Sequence, residues 1–177
     1  ATVGGSAVSL TATASDNIAL AGVSFYVDGT LQGSEDATST YGITWNSTAT
    51  TSGAHSAFAV ARDTSSNYAT SSTVSFTVDN AAPVLTSVAT STATTTATIT
   101  WTTDEAASSM VNFGPSSSYG TSTVETDTSP RVTSHSVSLA SLTACTQYHF
   151  QASSTDAVGN IGTSTDDTFY TTGCTSS

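Results

Sequence analysis

The chain has 177 residues with two Arg, no Lys and 13 Asp plus Glu, giving a formal charge of −11. Only 8% of residues are charged, against roughly a quarter in an ordinary soluble domain, and Ser plus Thr make up about 40%, so hydroxyls do the solvating. Arg62 and Arg131 alone cannot neutralise a phosphate backbone, which excludes a nucleic-acid binder, a polybasic membrane anchor and a phosphate-handling enzyme.

In chain order, period-2 alternation predicts strands throughout. Residues 7–14 (AVSLTATA) put Val8, Leu10, Ala12 and Ala14 on one face, and residues 23–27 do the same with Val23, Phe25 and Val27. Tyr41, Ile43 and Trp45 share a face of residues 41–45. Residues 54–62 offer two faces, Phe58 with Val60 or Ala57 with Ala59 and Ala61, and residues 73–78 present Val74, Phe76 and Val78. Between these runs lie Asp-Asn, Asp-Gly and Thr-Ser-Gly turns, whose Gly, Asn and Asp tolerate positive φ. Residues 80–83, ending at Pro83, interrupt the pattern as a short linker. A second set of strands follows at 84–88, 96–102, 109–114, 121–125, 134–139, 147–155 and 167–171. No stretch keeps a helical period over three turns. No apolar run reaches the length of a membrane span, so direct membrane insertion is not expected. The fold class is all-β: two tandem immunoglobulin-like β-sandwiches, residues 1–79 and 84–177, each small for a single core.

Residues 11–17 (TATASDN), 23–29 (VSFYVDG), 41–46 (YGITWN), 53–55 (GAH) and the Ala61-Arg62-Asp63 to Asn67 segment resemble bacterial Ig-like domains. Those domains occur in tandem in surface adhesins and secreted polysaccharide-degrading enzymes. The resemblance covers about residues 1–79. It implies a first strand ahead of a Gly-rich turn such as Val3-Gly4-Gly5, so strand A is expected to be short or missing. The second segment is similar to fibronectin type III domains, in the variant that also precedes metallophosphoesterase domains. Trp101 falls in strand B, and Leu142, Thr146 and Tyr148 fit the pattern ahead of strand F, with Ala144 where Pro is usual. Strand F then ends in Asp156-Ala157-Val158-Gly159-Asn160.

With those strand assignments, Cys145 precedes strand F and Cys174 follows strand G, antiparallel neighbours, so a Cys145–Cys174 disulfide is expected. It implies an oxidising, extracellular or cell-surface setting. His135 and His149 lie in alternating strands and are expected at the surface or rim, and His55 is implied to be a structural hydrogen-bonding residue. There is no His-Glu-x-x-His, G-x-S-x-G, Walker loop or Cys-x-x-Cys, so no catalytic residue is assigned and no enzymatic reaction is expected.

The acidic loop residues carry the remaining signal. Asp16 and Asp104 with Glu105 follow strand B of each domain, and Asp63 and Asp156 follow strand F. Asp79, Asn80, Asp104, Glu105 and Asp156 are hard-oxygen candidates for a structural Ca²⁺ at the interdomain joint, an arrangement resembling cadherin-like and adhesin linkers. The alternative is that these residues cap loop N–H groups in Asx turns. No other cofactor is expected. Asn46-Ser47-Thr48 is the one N-glycosylation sequon. Tyr26, Tyr68, Tyr119 and Tyr170 are candidates for stacking on sugar rings.

The expected function is a non-enzymatic extracellular module of an adhesin, stalk or self-assembling filament. Its partners are other copies of itself or neighbouring Ig-like domains, and surface glycans. A short strand A would leave a sheet edge for a neighbouring subunit or an upstream segment to cover. The alternatives are a spacer or carbohydrate-contacting module of a secreted hydrolase, and a phage decoration or tail-fibre domain.

Overall fold

A computed structural model describes residues 1–174 and separates into two compact units, Ala1–Ala81 and a second beginning at Ala82. All regular structure among the described residues is β, so no helix is long and apolar enough to cross a membrane.

The first unit contains β1 (Thr2–Val3), β2 (Val8–Thr11), β3 (Leu20–Val27), β4 (Thr30–Asp36), β5 (Gly42–Trp45), β6 (Gly53–Asp63), β7 (Tyr68–Thr70) and β8 (Val74–Val78). One sheet runs β1-β8-β6-β3-β4, with β7 also on β6, and the facing sheet is the pair β2-β5. The first strand is therefore present but short: Thr2 and Val3 run parallel to Thr77 and Val78. Alternation on β3 places Val23, Phe25 and Val27 inside, at 1%, 4% and 4% exposure. On β6, the small residues Ala57, Ala59 and Ala61 lie opposite them, which decides between the two faces the sequence offered. Bulky side chains on one strand fill the interior layer, so the neighbouring strand must supply methyl groups. Phe58 turns to the other face and stacks on Tyr26, with centroids 4.9 Å apart. Trp45 and Phe76 meet edge to face at 5.9 Å.

Strand β4 (TLQGSED) has no apolar period and is not legible as a strand. Its position comes from the turn before it. Asp28 and Gly29 both take positive φ, 48° and 76°, the pattern of a type I′ hairpin that folds β4 back along β3.

The second unit contains β9 (Leu85–Thr92), β10 (Ala97–Ala107), β11 (Met110–Gly114), β12 (Thr121–Ser122), β13 (Val132–Leu139), β14 (Gln147–Thr155), β15 (Ile161–Thr163) and β16 (Asp167–Tyr170). One sheet is β13-β10-β9, and the other is β12-β11-β14-β15 with β16 also on β14. Ile99, Trp101, Val111, Leu139, Phe150 and Phe169 form the heart of the core. Buried Trp101 donates its indole N–H to Ser154 Oγ at 2.9 Å, so its polar edge is satisfied. Leu142 is buried, and the Thr143 N–H donates to the Tyr148 hydroxyl at 3.0 Å, fixing the corner that enters β14. Strand β12 is shorter than its sequence pattern, because Val124 is turned out to solvent at 84% exposure.

Candidate functional site

The acidic loops repeat one design in both domains. After β6, Asp63 Oδ1 accepts the N–H groups of Ser65 and Asn67, both at 2.8 Å, and Asn67 Nδ2 donates to Asp63 Oδ2 at 2.7 Å. After β14, Asp156 Oδ1 accepts from Val158, Gly159 and Asn160 N–H at 2.8, 2.7 and 2.9 Å, and Asn160 Nδ2 donates to Asp156 Oδ2 at 2.7 Å. Each loop is closed by a backbone bond of 3.0 Å from the Asp N–H to the Asn carbonyl. The fourth loop position takes positive φ in both, Ser66 at 67° and Gly159 at 99°. A short carboxylate thus satisfies amides two to four residues on that the turn leaves without a ladder partner.

The other candidate ligands are placed as follows. Asp16 Oδ2 accepts from Ile18 and Ala19 N–H at 2.9 and 3.2 Å. Asp79 Oδ1 accepts the Ala81 N–H at 3.1 Å. The Asn80 amide donates to the Ser47 and Thr50 carbonyls at 2.7 and 2.9 Å, and its Oδ1 accepts the Gly5 N–H at 3.3 Å. Asp104 Oδ1 accepts the Val84 N–H at 2.8 Å. Within the second domain, Glu105 and Asp156 bring carboxylate oxygens within 4.8 Å of each other. Local Asx capping is thus seen at Asp16, Asp63, Asp79 and Asp156, whereas Asp104 holds an N–H twenty residues away in sequence.

Cys145 and Cys174 form a disulfide across the start of β14 and the end of β16, with Cα atoms 4.8 Å apart. Tyr26 is occupied by Phe58, whereas Tyr68 and Tyr170 are 68% and 63% exposed. Tyr119 is hydrogen-bonded to Asp166; burial and that bond raise its hydroxyl above the usual range. Asn46 is exposed, and its Oδ1 accepts both the N–H and the hydroxyl of Thr48, at 3.0 and 2.7 Å.

His135 departs from its expected place at the surface. It is 2% exposed, stacked on Trp101 with centroids 5.1 Å apart. Its Nδ1 meets Ser109 Oγ and its Nε2 meets Thr103 Oγ1, each at 2.8 Å. Ser109 gives its single proton to Asp127 Oδ2 at 2.6 Å, so Nδ1 carries a proton and donates to Ser109, while the Thr103 hydroxyl faces both Nε2 and the Glu105 carbonyl, the latter at 2.6 Å. Hydroxyls on both sides make the interior tolerable for an imidazole. The parity signal was present in the sequence, since His135 shares its face with Val137 and Leu139, both buried. His149 does sit at a rim, half-buried and 2.8 Å from Asp166.

His55 is hydrogen-bonded as implied, but to acceptors only: Asp28 Oδ2 at 2.6 Å and the Thr51 carbonyl at 2.8 Å. His55 and His135 are therefore shifted in opposite directions. The bonds to Asp28 and then Thr51 raise His55, and Asp28 is lowered, first by His55 and then by the Ser56 N–H. Burial lowers His135, opposed by the charge of Asp127. A raised His contributes stability that is present below its unfolded value of about 6.5 and is lost as pH rises through the folded value. A lowered His makes the folded state bind fewer protons, so stability is lost as pH falls below about 6.5. Unfolding followed by Trp45 for the first domain and Trp101 for the second should show the His55 contribution fading above about pH 6.5 and the His135 contribution failing below it. His55→Asn and His135→Gln should each flatten only its own domain's profile.

The first domain is thus a sandwich with a Trp on β5, an Asp-Gly hairpin after β3 and an Asp-capped loop at the end of β6. Residues 1–59 match the family model of the bacterial Ig domain. The matched part of the bacterial Ig domain runs from β1 into β6. No curated protein sequence matches the chain. Among solved structures, the fibronectin(III)-like modules of Clostridium thermocellum CbhA are similar at a TM-score of 0.50 and 18% identity, covering 97% of this chain and 89% of that one. Chicken CNTN1 FN1–FN3 domains give a TM-score of 0.59 at 15% identity, covering 96% of this chain and 62% of that one. Titin domains A168–A170 give 0.56 at 13%, covering 97% of this chain. The chain spans 62% and 61% of the CNTN1 and titin fragments. At these identities the likeness is one of fold: a bacterial Ig-like sandwich followed by a fibronectin type III-like sandwich.

Proposed function

We propose that the chain is a non-enzymatic extracellular module, part of a cell-surface adhesin, stalk or filament, joined to other copies of itself or to neighbouring Ig-like domains. The observation that carries this reading is the repetition of one unit design, a sandwich with its own core and an Asp-x-x-x-Asn loop closing β6 and β14. Two self-contained sandwiches in series suit a chain whose task is to span and present. Asn46 is proposed as a glycan acceptor, read by intact mass. Calcium on Asp79, Asn80, Asp104, Glu105 and Asp156 is the finer proposal; the closeness of Glu105 to Asp156 supports it, and its test accompanies the Asp156 variant below.

Exposed Tyr68 and Tyr170 favour one second reading, a carbohydrate-contacting module of a secreted hydrolase. Force spectroscopy and a glycan array on the full chain separate the two. The array-module reading expects two discrete unfolding events per chain and no glycan signal. Glycan binding that is lost on Tyr68→Ala or Tyr170→Ala would replace it with the second reading.

A further inference from the structure

The chain holds one Asp-Gly pair, Asp28-Gly29, and it forms the whole of the turn between β3 and β4. Both residues are exposed, and nothing lies within 4 Å of where a Gly29 Cβ would stand. Every other Asp is followed by a residue with a side chain. Glycine alone leaves the next amide nitrogen unshielded, so this pair is the aspartyl bond most open to spontaneous rearrangement.

The chemistry needs no co-reactant but water. The Gly29 nitrogen attacks Asp28 Cγ, and its proton departs with the carboxyl hydroxyl as water, leaving a cyclic imide. Water then opens the ring. Cleavage between nitrogen and Cγ restores aspartate, whereas cleavage between nitrogen and the main-chain carbonyl carbon leaves the backbone running through Cγ, as isoaspartate. A carboxylate has no hydroxyl to lose, so the first step requires an Asp28 that is protonated and free to swing onto the turn.

Both conditions are opposed from β6. Asp28 Oδ2 meets His55 Nδ1 at 2.6 Å, and Oδ1 accepts the Ser56 N–H at 2.9 Å and its hydroxyl at 3.3 Å. His55 Nε2 donates to the Thr51 carbonyl at 2.8 Å, so both ring nitrogens carry protons and the ring faces Asp28 as a cation. The His55 side chain is 11% exposed and that of Asp28 48%, so the clamp is applied from the protein side of an open turn. Bonds from His55 and then the Ser56 N–H hold the Asp28 carboxyl below its usual range.

We propose that Asp28-Gly29 is an isoaspartate-forming modification site, and that His55 sets its rate by holding the Asp28 carboxylate on β6. Conversion would lengthen the backbone of a turn whose register is Val27 opposite Thr30 and Tyr26 opposite Leu31. Strand β4 has no apolar period of its own, so the modified turn releases it from β3.

The test incubates the full chain at mildly acidic pH and 37 °C, with isoaspartate read by enzymatic methylation and located by peptide mapping. Folded wild type should convert at residue 28 at least about tenfold more slowly than the same chain in urea. His55→Ala should raise the folded rate about tenfold while its far-ultraviolet spectrum is kept. If that variant loses its fold, His55→Gln, which keeps a donor but no cation, gives the same comparison with a smaller rise. Glu35→Gln cuts the other tie of β4, the 3.0 Å ion pair with Arg62, and should leave the rate unchanged. Asp28→Glu, too long to close the same ring, should give no signal at this turn. Three results would overturn the proposal: equal rates in folded and urea-treated wild type, no rise in a folded His55 variant, or an equal rise in Glu35→Gln, which would make general loosening of the hairpin the cause.

Discussion

Reduction of the Cys145–Cys174 bridge is expected to lower the unfolding midpoint of the second domain by about 15–25 °C, with Trp45 of the first domain as an internal reference. The bridge closes a loop of sequence separation 29, and at that length the chain-entropy model gives about 3–4 kcal/mol. In a domain of this size each kcal/mol moves the midpoint by about 4–8 °C. The bond also keeps company: the Cys145 N–H donates to the Thr172 carbonyl at 3.1 Å, and Thr171 Oγ1 donates to the Thr143 carbonyl at 2.6 Å. Losing the bridge therefore releases the pairing of Gln147 with Tyr170, the outermost rung of the β14–β16 ladder. Calorimetry of the Cys145→Ser, Cys174→Ser double variant checks this. A fall below about 5 °C would mean that these hydrogen bonds already restrict the ends in the unfolded chain.

Asp156→Ala should be the most damaging single change in a loop, costing the second domain about 2–4 kcal/mol. The side chain is 1% exposed and collects four N–H donors. Asp156→Asn should recover much of the loss, because its Oδ1 can still accept the three backbone N–H groups and only the bond from Asn160 Nδ2 meets an amide nitrogen instead of an oxygen. Thermal melts in millimolar Ca²⁺ and in EGTA make the same variant a test of the calcium proposal. Capping alone predicts an equal loss in both buffers. If calcium is held by the loop carboxylates, the wild-type midpoint should rise in Ca²⁺, the variant's should rise less, and stripped protein should give binding heat. An unchanged wild-type midpoint and no heat would end the calcium reading.

Much of the second domain was legible because its signals agree. Alternation, the Trp101 position, the Leu142 and Tyr148 spacing and the two cysteines all describe one sandwich, and the structure contains it. The strands that could not be read are those without a side-chain period. Strand β4 exists because Asp28 and Gly29 fold it onto β3, and β15, with Gly162 at its centre, exists because β14 offers it a ladder. Backbone hydrogen bonding needs a neighbour, and a neighbour leaves no mark on the strand that it pairs.

The candidate site divides along the same line. That Asp63 and Asp156 would serve their loops was one of two open roles, since an Asx turn is local and its donors lie within four residues. The burial of His135 was readable from its parity with Val137 and Leu139, but its partners Ser109 and Thr103, and Asp127 behind Ser109, come from distant points of the chain. A histidine among hydroxyls can be buried neutral, but only the packed sheets show that the hydroxyls are there.

By itself, the sequence determined the class of chain: β-sandwiches with a hydroxyl surface, almost no cations and cysteines at neighbouring strand ends. Those are properties of composition and of period 2, which any register preserves. Only the tertiary structure decided that the alanine face of β6 goes inside while Phe58 stacks on Tyr26, and that Thr103, Ser109 and Asp127 gather around His135. Each depends on which strand lies beside which, and strand pairing is fixed by long-range packing that no local pattern encodes.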